Sequence, residues 1–289
     1  MQPTPWDWPA PKRLWLDRPG GRLAVLDFGG DGPGMLLLHG LMGQATTWAG
    51  TARRLTGAFH VVAIDQRGHG ASDRFGSYSR DDYVEDAATA VRDLGLAPAV
   101  VVGHSMGGLN AWVIAARHPE LVAGLVIEDM PSRTAGRGEL DRFRQGSGQW
   151  PIPFLTLADV RAYFGRDRAC TGDQFVEVFA EAADGYRPVF AVEDMLASVA
   201  DWDARDYDAE LDAVRCPALV VHGVLSRNSG EELRAMADRM PCGHYAEVAD
   251  AGHVIHSENL DGWWAVIRPF LQPLTPRRIE EPAASGDQP

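Results

Sequence analysis

The chain has 289 residues, 45% hydrophobic and 23% charged, with a net charge of −13 at pH 7. That is enough apolar material to bury a core without staples, in one large α/β domain or two small ones. The negative charge excludes a general nucleic-acid binder, and no apolar run has the length of a bilayer span.

In chain order, 22–28 (RLAVLDF) and 35–40 (MLLLHG) are predicted strands. The glycine-rich 29–34 between them lacks the G-x-G-x-x-G spacing and precedes a strand, so it is a turn and not a dinucleotide loop. Further strands are predicted at 60–65, 99–104, 121–129, 218–223 and 245–250, with helices at about 46–56, 80–94, 106–117, 230–239 and 259–271. This alternation predicts a mainly parallel sheet with helices on both faces. Residues 131–213 break the rhythm: they hold no apolar strand but many aromatics, among them Trp150, Phe154, Phe164, Phe175 and Phe190. They are expected to form a helical cap with its own aromatic core, inserted into a domain made of 1–130 and 214–275. The polar, proline-containing 276–289 is expected to be a disordered tail. Trp48, Trp263 and Trp264 read as packing residues.

Cys170, Cys216 and Cys242 form no C-x-x-C pair. No zinc or redox site is expected, and the sparse count fits a reducing cytoplasm. No signal peptide is expected at the N-terminus. Neither a cofactor nor a metal is called for, and oligomeric state is not legible.

Chemistry concentrates at 100–119. Gly103-His104-Ser105-Met106-Gly107 is G-x-S-x-G, preceded by an apolar strand and opening an amphipathic helix. Reversing from strand to helix at one residue strains the backbone and exposes the Ser105 hydroxyl at the sheet edge, beside the unpaired N–H groups of a helix start. Three other blocks stand with it: LLLHGLMG (36–43), DQRGHGASD (65–73) and GHVIHSENL (252–260).

On these motifs, from about residue 12 to 273, the chain resembles the α/β-hydrolase fold family, in its serine-nucleophile, esterase-like branch. The resemblance implies an α/β fold with a mostly parallel central sheet flanked by helices. It makes Ser105 the nucleophile and His253 the base, with the backbone N–H groups of Leu41 and Met106 as oxyanion hole. His39 and His69 read as loop-supporting residues. His256, three residues after His253, is not assigned a catalytic part.

The acid departs from the family's commonest pattern. Most members carry it after the strand written here ALVVHG (218–223), where this chain has Ser226, which cannot carry charge and is expected to be dispensable. A subset places the acid after the sixth strand. Here that strand ends in Glu128-Asp129, which makes Asp129 the candidate and Glu128 the second choice. The implied activity is hydrolysis of a carboxylic ester, thioester or lactone of a small, apolar substrate. C–C bond hydrolysis and cofactor-free haloperoxidase chemistry use the same triad, and a ligand-binding member without catalysis is the reading from another class.

Overall fold

The computed structural model describes residues 10–279. The first half of the chain forms β1 (Lys12–Arg18), β2 (Gly21–Gly29), β3 (Gly34–Leu38), α1 (Ala49–Leu55), β4 (His60–Ile64), α2 (Arg80–Asp93), β5 (Ala99–His104), α3 (Met106–Arg117) and β6 (Val122–Glu128). Then come α4 (Glu139–Ser147), α5 (Leu157–Phe164), α6 (Ala169–Glu177), β7 (Phe179–Ala182), β8 (Gly185–Pro188), α7 (Val192–Asp203) and α8 (Asp208–Ala213). The chain returns through β9 (Ala218–Gly223), α9 (Gly230–Arg239), β10 (Gly243–Val248), α10 (Ile255–Glu258) and α11 (Leu260–Leu271).

Eight strands form one sheet in the order β1-β2-β4-β3-β5-β6-β9-β10. β2 is antiparallel to both β1 and β4, and the other neighbours are parallel. Successive side chains serve opposite faces. Leu36, Leu38 and Val101 pack with α2 and α3, whereas Met35, Leu37, Val100 and Val102 pack with α1 and α11. With both faces covered, the central strands are apolar without interruption. Trp48, Trp263 and Trp264 are buried in the second of these layers. Among the described residues no helix is long and apolar enough to cross a membrane.

Three features differ from the sequence expectation. β1 was not anticipated because only Leu16 among its residues is buried, so it shows no apolar run; its backbone pairing to β2 makes it a strand. Residues 131–213 are not all helical, because β7 and β8 form an antiparallel hairpin across a two-residue Ala183-Asp184 turn, with Ala182 paired to Gly185. Gly185 sits at φ 132°, and a Cβ there would overlap the carbonyl oxygen of Phe154. Finally, the expected disordered tail begins too early. Ile279 is buried in the α11 layer, and its N–H donates to Gln272 Oε1 at 2.9 Å; residues 280–289 lie outside the described residues.

The segment between β6 and β9 has its own aromatic cluster. Trp150 meets Phe143, Phe164, Phe175 and Phe190 edge-on, and Phe164 stacks on Phe175 at 3.7 Å. Most of the aromatics noted in the sequence are accounted for by this packing. Trp202, Tyr207 and Leu211 instead enter the main core beside α3.

Candidate active site

β5 ends at His104 and α3 starts at Met106, leaving Ser105 alone at the turn with φ 51° and ψ −121°. Such values are strained for any residue with a side chain. Both flanking glycines are required: a Cβ at Gly103 would overlap the Gly107 carbonyl, and one at Gly107 would overlap that of Leu38. The Ser105 N–H donates to the carbonyl of Glu128 at 2.8 Å, fastening the turn to β6.

The loop after β3 lies against this turn. A Cβ at Gly40 would come within 3.2 Å of Ser105 Cβ, and Gly43 N–H closes a tight turn onto the Gly40 carbonyl at 3.0 Å, with Met42 at φ 65°. His39 props it up. Its Nδ1 donates to the Gly40 carbonyl at 2.7 Å while its Nε2 accepts the Gln66 N–H at 3.0 Å. Burial pushes its pKa down to about 4, so the ring is neutral, as those two bonds require. Gln66 donates to the His39 carbonyl at 2.6 Å and is itself held by Asn110. The N–H of Met106 opens α3, so it has no carbonyl four residues back within the helix.

Glu128 and Asp129 both have no exposed surface. As neighbours at a strand end they point to opposite sides, and each takes a different histidine. Asp129, at φ 51°, accepts from His253 Nδ1 on Oδ2 at 2.7 Å. Glu128 accepts from His256 Nδ1 at 2.8 Å on one oxygen and from Trp263 Nε1 at 2.9 Å on the other. The His256 ring lies flat on Trp48 at 3.9 Å. The structure therefore brings Asp129 to His253 and directs Glu128, the second choice, to His256.

His253 itself is half-open, its side chain 42% exposed beside the fully buried Asp129. Its ring lies 4.8 Å from that of His104, the residue before Ser105, and its carbonyl accepts from His104 Nε2 at 2.9 Å. Burial holds His104 well below the usual imidazole pKa, which keeps it neutral. Ser105 and His253 are not hydrogen-bonded to each other in this structure.

Several contributors were invisible in the sequence. Glu258 brackets His253, accepting the N–H groups of Gly252 at 2.8 Å and Val254 at 3.1 Å, and it pairs with Arg168 from the inserted segment at 2.6 Å. Ser226 is not idle: its hydroxyl donates to Asp129 Oδ2 at 2.5 Å, and Asn228 Nδ2 donates to the same oxygen at 2.9 Å. Spacing gave no signal for Asn228 or Glu258; Ser226 was noticed only because it stands where an acid was expected.

The Glu128 cluster yields a stability prediction. Glu128→Leu strands the His256 and Trp263 donors in the core, an expected loss of about 3–5 kcal/mol. Denaturant unfolding checks it, and a loss under about 1 kcal/mol would show that Glu128 does not anchor this loop.

A strand-to-helix serine, a carboxylate–histidine pair across the same sheet edge and an N–H-bearing loop define the class of hydrolases with a nucleophile elbow. The family model for the alpha/beta hydrolase fold matches residues 33–260. The chain belongs to the α/β-hydrolase fold family. It is 34% identical over 162 residues to 2-(acetamidomethylene)succinate hydrolase of Mesorhizobium japonicum, across 55% of this chain and 57% of that one. This chain thus spans little more than half the length of that relative. It is 29% identical over 258 residues to N-formylmaleamate deformylase of Pseudomonas putida, across 87% and 93% of the two chains. The crystal structure of an E-2-(acetamidomethylene)succinate hydrolase superposes with a TM-score of 0.81 at 27% identity, covering 90% of this chain and 99% of that one.

Proposed function

We propose that the chain is a serine hydrolase cleaving a carboxylic ester, thioester or lactone of a small, apolar substrate through an acyl-enzyme on Ser105. The observation that carries this reading is the 2.7 Å contact between Asp129 and His253 Nδ1 beside a strained serine turn. With Nδ1–H committed to Asp129, Nε2 is the nitrogen that takes the Ser105 proton. As Oγ bonds to the carbonyl carbon, the π pair moves to oxygen, where the N–H groups of Leu41 and Met106 receive the charge. The imidazolium is balanced by Asp129. Collapse breaks the bond to the leaving group, which takes the proton from Nε2. Water then repeats the sequence and frees the acid and Ser105.

Apolar substrate preference is supported by Leu41, Met42 and Phe143, which pack against the aromatic cluster of the inserted segment. A second reading comes from the relatives, whose names carry an acetamido or an N-formyl group: the scissile bond is then carbon–nitrogen.

A fluorophosphonate probe tests the reading. Mass spectrometry is expected to find the label on Ser105 and none on Ser105→Ala. A folded wild-type protein that takes no label places the chain with the ligand-binding members of the fold. Turnover of p-nitrophenyl acetate against a simple N-formyl enamide then separates ester from C–N chemistry.

A further inference from the structure

We propose that Ser226 and Asn228 are positioning residues that hold the acid in register with His253, so that the loop from which most of the family presents its carboxylate serves here as a cradle for a carboxylate from another strand. The inference rests on the serine-hydrolase reading above.

Three donors converge on one oxygen. Asp129 Oδ2 receives His253 Nδ1 at 2.7 Å, Ser226 Oγ at 2.5 Å and Asn228 Nδ2 at 2.9 Å, whereas its Oδ1 is buried without a partner. This convergence fixes the carboxylate's position, because swinging the group away from that point would leave three donors unmet. The cradle is itself braced. Asn228 donates to the Asp129 carbonyl at 2.9 Å, and Ser226 Oγ, its proton given to Asp129, accepts the Asn228 N–H at 3.2 Å. The loop is pinned to the segment that carries His253: Leu225 N–H donates to the Ala251 carbonyl at 2.8 Å and Val224 N–H to that of Val248 at 3.1 Å. One short loop therefore sets the acid relative to its base, across the gap left by moving the acid to β6.

The two donors also tune charge. Each neutralises part of the Asp129 carboxylate, leaving less for the imidazolium. Deleting one leaves more negative charge facing His253, which displaces the pH midpoint of Ser105 labelling upward. The other titratable and charged groups around the His253–Asp129 pair are His104, His256 with Glu128, Glu258 with Arg168, and Tyr245 from β10, and none is altered by the test.

The test is the second-order rate of Ser105 labelling by a fluorophosphonate, followed from pH 5 to 9 in wild type, Ser226→Ala, Ser226→Thr and Asn228→Ser, with circular dichroism as the folding control. Ser226→Ala is expected to label about tenfold more slowly at its plateau, with the pH midpoint displaced upward. Ser226→Thr, which keeps the hydroxyl, restores both, and Asn228→Ser moves the midpoint in the same direction as Ser226→Ala. Should Ser226→Ala fail to fold, the Asn228→Ser midpoint decides. Folded variants with the wild-type rate and midpoint overturn the cradle while leaving the nucleophile assignment intact. A wild type that is not labelled at Ser105 overturns that assignment and the cradle with it.

Discussion

Asp129→Asn is expected to lower turnover by about 10²- to 10⁴-fold while the protein stays folded. The cradle makes the reason specific. An asparagine can put its carbonyl oxygen where Oδ2 now accepts three donors and its amide nitrogen where Oδ1 has none. His253 then keeps its Nδ1–H tautomer, and the loss comes from the missing charge opposite the imidazolium. Glu128→Gln, by contrast, is expected to retain Ser105 reactivity in its folded fraction, because Glu128 meets His256 and Trp263 instead of His253. Rates of p-nitrophenyl acetate hydrolysis and of probe labelling check both variants. Near-wild-type rates in Asp129→Asn with an inactive, folded Glu128→Gln would reassign the acid.

The second large effect is on stability at mildly acidic pH. Burial lowers His39 to about 4 and His69 to about 3, and it holds His104 well below the ordinary value of 6.5. For a histidine whose folded pKa is depressed, the unfolded chain takes up the proton first. Stability is therefore complete above pH 6.5, falls as pH drops below it, and stops falling only below the folded pKa. At about 1.4 kcal/mol per unit, His39 and His69 are each worth on the order of 3–5 kcal/mol across that window, comparable to a domain's whole stability. Asp65, raised by burial, works in the opposite direction. The melting temperature is expected to decline steadily from pH 6.5 to 5, before most carboxylates titrate. In His69→Asn, whose amide can still donate to the Arg67 carbonyl that His69 Nδ1 now meets at 2.9 Å, the decline is expected to be shallower. A melting temperature that is flat over this interval in the wild type would mean that these rings are protonated in the folded state.

Local pattern made much of the fold readable. The continuous apolar runs of β3, β5 and β9 are what a sheet covered on both faces demands, and α3 spans 106–117 as expected, although it is buried all round from Met106 to Ala115 and not amphipathic. β1 escaped because an exposed edge strand leaves no apolar signature, and the β7–β8 hairpin escaped because its two short strands lie in a segment dominated by helical aromatics. Ile279 was missed because a single buried residue in a polar stretch has no period to betray it.

What the sequence by itself determined is the backbone chemistry: alternating strands and helices, a serine forced into a turn that only flanking glycines permit, and a histidine block downstream. Steric exclusion and side-chain periodicity act over a few residues and are written locally. Which carboxylate meets which histidine was decided only by the tertiary structure. Asp129 and His253 lie 124 residues apart, and Ser226 and Asp129 lie 97 apart. Adjacent acids face opposite sides of the strand end, and the packing of the β9 and β10 loops around that end sends one carboxylate to His253 and the other to His256.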